Sequence, residues 1–350
     1  FTVDMLIAPD AVDDFGVASK ASITSLQYEL ALECVNEDGM ERMRLKHESL
    51  NPIPLGKARR SLGFETSTEF RKTAVDGRRG VPFISTSETG EIIIHQEGHG
   101  GRKLPTQGSM RTVISGSASS EFPTILAVRR EMESWRSLLL EPSAMRTASG
   151  FNDPRSIDAR GGNLPAALFR LQKGEDRPDR VRTSVANRLS LLLEDVQELR
   201  LREDEKSETR TIELRGRDGV FHPARALSDG TLRFLVLTVL QLDPKARGVL
   251  CLEEPENGIH PDRIPAILEL LRDLTVDPKQ PVDEDNPLRQ VIVNTHSPLV
   301  VQQMVQNELI YLASDTLQCG NNRGRVVSVR VPPDSWRAKM DEVLPIAEGR

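Results

Sequence analysis

The chain has 350 residues, of which 28% are charged and 38% hydrophobic, and its formal net charge is −6. This length can bury a large core in one big domain or in two, and the composition is ordinary for a globular protein. The negative net charge argues against a protein that coats nucleic acid by bulk electrostatics. Aromatic residues make up only 4%, which argues against stacking platforms for single-stranded nucleic acid.

Cysteine usage and hydropathy bear on the cellular compartment. The three cysteines, Cys34, Cys251 and Cys319, are widely spaced and odd in number, as expected in a reducing compartment without a disulfide framework. No apolar run approaches the ~18 residues of a membrane span, and no signal-peptide pattern opens the chain. We expect a soluble, cytoplasmic protein with no membrane partner.

The first hundred residues are predicted to be rich in β-structure. Apolar and polar residues largely alternate over residues 22–34, which is typical of a half-buried strand. Two hairpins are predicted, one pairing residues 22–34 with 40–47 and one pairing 81–85 with 91–95. Loops are predicted over residues 96–122. Basic residues are dense between 42 and 79; they could contact nucleic acid or a partner, although a solvated surface is the favoured interpretation.

From about residue 121 the pattern becomes helical. Apolar residues recur at spacings of three and four from Ile125 to Leu139, which predicts one helix over this segment. A loop over 141–163 is expected to separate it from the next helices. Further elements are predicted as a helix from residue 164, a helix over 180–193, and strands over 196–202 and 209–215.

The C-terminal part alternates helices and strands. A helix through Leu232–Leu240 is followed by predicted elements at 249–252 (strand), 262–274 (helix) and 291–294 (strand). A strand, a crossover helix and a second strand of these lengths predict a right-handed βαβ unit in a parallel sheet.

Two carboxylates follow the first of these strands. Residues 249–252 are apolar, as in a parallel strand buried on both faces, and Glu253 and Glu254 come at its carboxyl end, where α/β sheets place ligands. One carboxylate can hold Mg²⁺ while its neighbour orients the attacking water. The alternative is an acid pair in a surface loop. The continuation over residues 255–261, Pro-Glu-Asn-Gly-Ile-His-Pro, makes the pattern more specific.

A second motif opens a helix, and a third ends a strand. Ser228, Asp229 and Gly230 provide an N-cap and a glycine that lets backbone N–H groups approach an anion, with the helix dipole favouring negative charge. The alternative is a simple capped core helix. His296 ends the second strand, where it could hydrogen-bond a γ-phosphate and the attacking water. A lone histidine at this place is more often structural.

Taken together and in order, these segments resemble the ATP-binding-cassette ATPases. Within them the sequence is most similar to the RecF/SMC-like and OLD-like AAA-family ATPases of DNA repair and phage defence. The resemblance covers most of the chain and is specific over residues 225–300. The motifs that carry it are the signature motif at 227–231, the Walker B strand at 249–254, the D-loop at 257–260 and the switch histidine at 294–298.

This resemblance implies an α/β fold, namely an ABC-ATPase-like P-loop NTPase fold with a parallel sheet core, an antiparallel β lobe and a helical insertion. We expect a β-rich lobe over residues 1–120, a helical insertion over 121–208 and an α/β lobe over 209–350.

The resemblance also implies roles for single residues. Glu254 would be the catalytic base, His296 would sense the γ-phosphate, and Glu253 would help to hold Mg²⁺. Contacts to ATP are expected from the signature motif of the other subunit and from the D-loop, through Ser228, Asp229, Gly230, Asn257 and His260. ATP and Mg²⁺ are the expected cofactors, and a homodimer or a higher homo-oligomer is the expected assembly. DNA and a separate effector protein such as a nuclease are the expected further partners.

Two departures from the family pattern stand out. Glu253 occupies a position where the family more often has Asp. No Walker A loop occurs, since Gly56-Lys57-Ala58 lacks both the Ser/Thr and the upstream glycine. Because this loop precedes the first hairpin in the family, we expect it in a segment before Phe1 rather than a degenerate ATPase.

Two further interpretations stay open. One is a non-hydrolysing, nucleotide-dependent scaffold or sensor that regulates an effector. The other is the nucleotide-binding subunit of a membrane transporter, which the insertions between residues 20 and 200 disfavour. No Toprim-like acidic motif follows residue 310, so an effector would be a separate chain or lie beyond Arg350.

Overall fold

In the computed structural model, the N-terminal part of the chain is built from antiparallel strands. The residues that the structure describes are 1–37, 39–95, 101–104, 111–116, 120–174, 178–192, 196–319 and 322–341. The N-terminal strands are β1 Thr2–Leu6, β2 Asp10–Val12, β3 Ala18–Lys20, β4 Ser25–Glu37, β5 Met40–Pro52, β6 Ile84–Thr86, β7 Ile92–His95 and β8 Gly101–Leu104. The helices beside them are α1 Leu55–Ser61, α2 Thr68–Ala74, α3 Val113–Gly116 and α4 Pro123–Ser134.

Six of these strands form one sheet in the order β1-β4-β5-β6-β7-β8, and β2 pairs with β3. Both predicted hairpins are confirmed, with the second strand of the first hairpin reaching Pro52. The buried side chains of the sheet, among them Leu26 and Phe83, pack with Ile125 and Leu126 of α4 in a shared hydrophobic core. This sheet therefore needs α4 to cover its apolar face.

The prediction of loops throughout 96–122 is wrong in two places. Residues 101–104 form β8, whose backbone pairs with β7. Residues 113–116 form α3, whose first N–H groups are bound by a buried carboxylate: Val113 N donates to Glu48 Oε2 at 2.7 Å and Ile114 N to Glu48 Oε1 at 3.2 Å. Residues 96–100, 105–110 and 117–119 lie outside the described residues.

The central and C-terminal parts contain the remaining elements. The central ones are β9 Arg136–Leu138, α5 Pro142–Met145, β10 Ser149–Gly150, α6 Leu164–Lys173, α7 Pro178–Leu192, β11 Glu198–Asp204, β12 Thr209–Arg215 and β13 Phe221–Pro223. The C-terminal ones are α8 Asp229–Leu242, β14 Gly248–Glu253, α9 Ile264–Leu274, β15 Arg289–Asn294, α10 Pro298–Val301, β16 Tyr311–Cys319, β17 Asn322–Arg330 and α11 Trp336–Asp341.

A parallel sheet of three strands, in the order β15-β14-β9, lies in this part of the chain. The predicted βαβ unit is confirmed as β14, α9 and β15. The predicted helix up to Leu139 is wrong at its end, because α4 stops at Ser134 and Arg136–Leu138 is a strand. Leu138 is fully buried and pairs with Leu252 of β14, so sheet pairing replaces the last helical turn.

Helix α8 lies at the centre of the second core. Its residues 232–240 are all buried, and it packs with α7, α9 and α5. A helix that is apolar on nearly every side is expected to be enclosed by other elements. Together with β10, β11, β12 and β13, which form an antiparallel sheet, these elements confirm the predicted α/β class with both parallel and antiparallel sheets.

One charged side chain stabilises the start of the parallel sheet. Arg289, at the first position of β15, is buried and donates to the backbone oxygens of Ala246, Leu274 (3.3 Å) and Asp243 (2.9 Å). Burial lowers the pKa of Arg289 to about 10. Within the described ranges, no helix combines the length and the apolar character that a membrane span needs.

Candidate functional site

The carboxyl ends of β14 and β15 bring two predicted motifs together. Glu253 is aligned with Asn294 in the parallel register, and the backbone N–H of Glu254 donates to the carbonyl oxygen of Asn294 at 2.9 Å. The chain segments that follow the two strands, 254–259 and 295–297, therefore begin side by side. In open α/β sheets this edge is where ligands bind.

Glu254 is held in a defined position at this edge. Its φ angle is +42°, in the left-handed region that non-glycine residues rarely adopt. Asn257 stabilises the turn twice, since its backbone N–H donates to the Glu254 carbonyl oxygen at 2.9 Å and its Nδ2 donates to Glu254 Oε2 at 3.2 Å. Such backbone conformations persist only where surrounding contacts fix them.

His296 faces the other oxygen of the same carboxylate. Its Nε2 lies 3.9 Å from Glu254 Oε1, which is beyond a direct hydrogen bond but within the reach of one bridging atom. The His296 side chain is 83% exposed and that of Glu254 is 42% exposed, so both groups are accessible to a ligand.

A cleft of about 320 Å³ opens between these segments. This volume lies in the range of small-molecule sites. Its polar wall consists of Glu254, Glu256, Asn257, His296 and Ser297, and its apolar wall includes Ile259, Ile264 and Leu299. The structure thus brings three of the predicted site residues, Glu254, Asn257 and His296, into one cleft.

Glu253 lies outside this cleft lining. It is the last residue of β14 and its side chain is exposed. Among the described residues, no group of three or more His, Cys, Asp or Glu side chains is arranged to hold a metal ion. Mg²⁺ commonly binds to one or two carboxylates together with substrate phosphates, so a single accessible carboxylate fits this mode of binding.

The predicted anion-binding turn begins α8 as expected. Ser228 is the N-cap, since the backbone N–H of Thr231 donates to Ser228 Oγ at 3.1 Å. Arg146 Nη2 donates to the Asp229 carboxylate at 2.5 Å and to the Leu227 carbonyl oxygen at 2.9 Å. Asp229 is therefore occupied by an ion pair within its own chain, while Ser228 is exposed.

The turn at 228–230 is next to two residues that line the cleft, but it is not itself part of the lining. A Cβ atom added at Gly230 would lie 3.6 Å from the carbonyl oxygen of Gly258 and 3.7 Å from Ile259 Cγ1. Because Gly258 and Ile259 line the cleft, the turn at 228–230 packs against the D-loop segment of the same chain.

His260 has a structural role in this conformation. Its side chain caps the 3-10 turn at Pro261–Arg263 by accepting from the backbone N–H of Asp262 at 3.4 Å. It is 73% exposed and is not among the residues that line the cleft. Its expected contact with ATP stays a prediction.

Two charged residues beside the cleft had no predicted role. Glu256 lines the cleft, and its Oε1 accepts a hydrogen bond from Thr295 Oγ1. Arg233 is buried in α8; burial lowers the pKa of its guanidinium, and the charges of Asp229 and Glu256 partly counteract this. The sequence signal for Arg233 was a single charged residue within the apolar run 232–240.

Comparison with protein families identifies a match that contains the whole candidate site. A family model described as "AAA domain, putative AbiEii toxin, Type IV TA system" matches residues 124–302, which is more than half of the chain. This range contains the signature turn, the carboxylate pair and the histidine loop. No curated protein matches the chain.

Among solved structures, heads of SMC proteins resemble the chain. One comes from work on ATP-driven dimerization and DNA-stimulated activation of SMC ATPases (10% identity, TM-score 0.27, covering 53% of this chain and 99% of that one). Another is an SMC head bound to the C-terminal winged-helix domain of ScpA (8%, 0.35, 91% and 77%). A third is the SMC head domain from Thermotoga maritima (10%, 0.28, 91% and 78%).

Proposed function

The chain belongs to the AAA-domain family whose model spans residues 124–302, and we propose that this domain binds ATP and hydrolyses it in a site shared by two copies of the protein. The observation that carries the proposal is the cleft at the carboxyl ends of β14 and β15. There the Glu254 carboxylate is bound by Asn257 on one oxygen and faces His296 at 3.9 Å on the other.

In the proposed reaction, a water molecule attacks the γ-phosphorus of ATP and transfers a proton to the Glu254 carboxylate, while the bond to the ADP oxygen breaks. Asn257 keeps the carboxylate directed into the cleft, because its Nδ2 donates to one oxygen and leaves the other free to accept the proton. His296 Nε2 faces the same carboxylate across the cleft, where its N–H would donate to a γ-phosphate oxygen or to the attacking water.

Glu253 is the residue that would hold Mg²⁺. When bound, the cation supplies charge neutralisation on the phosphate oxygens. The exposed carboxylate of Glu253 lies one residue from the proposed base. A cation held there would bind phosphate oxygens of the same nucleotide on which Glu254 acts.

The turn at 228–230 supports the two-copy arrangement. It does not line the cleft of its own chain, yet Ser228 is exposed at the beginning of a 14-residue helix. Backbone N–H groups and the dipole at such a helix start favour a phosphate group. We propose that Ser228 and Gly230 of one copy contact the nucleotide bound by the other, so that ATP joins the two copies and hydrolysis releases them.

The joining and release of two copies would act on a larger assembly. From the resemblance to DNA-repair and phage-defence ATPases, we propose a DNA-associated or antiphage complex that includes a separate effector such as a nuclease. The alternative is a nucleotide-dependent scaffold that holds such an effector without turnover.

The test is a comparison of the full-length wild-type protein with Glu254→Gln. We expect the variant to lose turnover by at least about a hundredfold, because the amide cannot take the proton, while ATP affinity stays close to that of the wild type. In ATP and Mg²⁺ the variant should accumulate as a dimer in light-scattering measurements. Glu269→Gln, on the exposed side of α9, is the matched control and should hydrolyse ATP normally.

Each contrary outcome has a definite meaning. Unchanged turnover in Glu254→Gln would remove Glu254 as the base. ATP-dependent dimers of a wild-type protein that shows no turnover would favour the scaffold. Absence of ATP binding by the full-length protein would overturn both versions.

A further inference from the structure

Helix α8 contains a buried cation without a hydrogen-bonded partner at one of its nitrogen atoms. Arg233 is 8% exposed and lies between Leu232 and Phe234, which are fully buried. Its Nε is buried and makes no hydrogen bond in the described part of the chain. The acidic groups that act on it are Asp229, one helical turn earlier, and Glu256 of the segment after β14.

Glu256 shows the complementary feature. Its Oε2 is buried and has no hydrogen-bond partner among the described residues, while its Oε1 accepts from Thr295 Oγ1. Thr295 Oγ1 in turn accepts from the backbone N–H of Ser297 at 3.0 Å. These two bonds flank His296 on both sides, so they fix the loop that carries this histidine.

From the hydrogen bonds of Thr295 we infer that Glu256 is a positioning residue, which holds the 295–297 loop through Thr295 so that His296 faces Glu254. The buried Arg233 of α8 makes no hydrogen bond to Glu256 among the described residues, and its part in this inference is to balance the charge of Glu256 at longer range. The inference rests on the proposed ATPase function and adds a connection between the start of α8 and the reacting groups. Neither residue needs to touch the nucleotide for this role.

Electrostatics explains why both residues are needed. A carboxylate oxygen buried without a hydrogen bond is costly unless an opposite charge lies nearby. Side chains of an α-helix point toward its N-terminus, so Arg233 is directed toward the turn that contains Asp229 and contacts Gly258. Removing Arg233 would leave Glu256 uncompensated, and the loop could then move with it.

The first arm of the test needs no nucleotide. Hydrogen–deuterium exchange is measured by mass spectrometry on peptides that cover residues 294–299 in the full-length protein. Thr295→Val removes the acceptor for the backbone N–H of Ser297. We expect hydrogen exchange at this amide to become about tenfold faster. Thr295→Ser keeps the hydroxyl and should restore wild-type exchange. Glu256→Ala should accelerate exchange as well, whereas Glu269→Ala should not.

The second arm measures ATP turnover. Because the loop positions a group for the reaction rather than for binding, Glu256→Ala and Thr295→Val should each lower kcat about tenfold while KM changes by less than about twofold. Thr295→Ser should recover kcat. The double variant should have a kcat no lower than that of the less active single variant, since both changes remove the same connection.

The role of Arg233 in balancing the charge of Glu256 is tested by comparing variants that remove one or both of these charges. Arg233→Met leaves Glu256 unbalanced, and Arg233→Met combined with Glu256→Gln removes both charges. We expect the combined variant to melt at a higher temperature and to turn over faster than Arg233→Met alone. Equal behaviour of the two would overturn the charge-balancing role.

Failure of this inference is separable from failure of the proposed function. If the wild-type protein has no turnover, the ATPase proposal fails while the exchange measurement still decides whether Glu256 and Thr295 hold the loop. Unchanged exchange in both Thr295→Val and Glu256→Ala would overturn the inference. Faster exchange with unaltered kcat would overturn it too, because the loop would then have no positioning role.

Discussion

Gly230 and Gly258 lie against each other but differ in backbone conformation, and replacing each by alanine separates folding from function. Gly230 is in the first turn of α8, and an added Cβ would meet its nearest neighbours at 3.6 to 3.9 Å, which is ordinary van der Waals contact. Gly258 also has room, with Asp229 Cβ at 3.7 Å, but its φ is +76°. Alanine therefore fits at the first position and is strained at the second.

The expected stability changes have opposite signs. Gly230→Ala should stabilise the fold by about 0.4–1 kcal/mol, because alanine restricts the unfolded chain and suits a helix. Gly258→Ala should cost about 1–2 kcal/mol for the left-handed conformation. With an unfolding entropy of about 2.1 cal/mol/K per residue, the 350-residue chain should melt about 1 °C higher in the first case and about 1.5–3 °C lower in the second.

Activity should not follow stability. If the 228–230 turn contacts the nucleotide bound by the other copy, the new methyl group of Gly230→Ala blocks close approach, and kcat/KM should fall about tenfold although the protein melts higher. Calorimetry and an ATPase assay on the same samples test this. A melting temperature below the wild-type value would contradict the contacts seen at Gly230. Wild-type turnover would remove the turn from the nucleotide site.

Three further changes probe other parts of the molecule. Burial raises the pKa of Glu48 above its ordinary 4.5, so the folded state binds the proton more tightly than the unfolded state. The free energy of unfolding should therefore fall as the pH rises from 4.5 through the raised pKa. Glu48→Gln should make this free energy, measured by urea titration, depend less on pH. Arg289→Lys should cost about 2–4 kcal/mol in urea unfolding, since an ammonium group cannot serve three carbonyl oxygens in the same geometry. After removal of metal with EDTA, Glu253→Ala should need about tenfold more Mg²⁺ for half-maximal turnover, whereas Glu269→Ala should behave as the wild type.

The sequence is most informative where periodicity is long. The apolar run at 232–240 and the strand at 249–252 predicted α8 and β14, and both are confirmed. Strand β9 was missed because three residues carry no period of their own, and Leu138 also suits the helical spacing that precedes it. Only pairing with Leu252, more than a hundred residues away, makes this segment a strand.

The candidate site was predictable in its members more than in its geometry. The sequence predicted that Glu254 and His296 follow two strands of one parallel sheet, and such strands end at the same edge. The contact of Glu256 with Thr295 was not predictable, because it depends on the register that aligns Glu253 with Asn294. A change of that register by one residue would exchange the faces of the strand and separate the two loops.

The backbone at Glu254 explains why only one of two neighbouring carboxylates lines the cleft. Had β14 continued, Glu253 and Glu254 would only alternate between the two faces of the sheet. The left-handed conformation at Glu254 ends the strand instead, and this carboxylate lines the cleft while that of Glu253 stays outside the lining. The conformation costs about 1–2 kcal/mol for a residue with a Cβ. The bonds between the backbones of Glu254, Asn294 and Asn257 offset that cost, so the chain itself supplies the contacts that hold the turn.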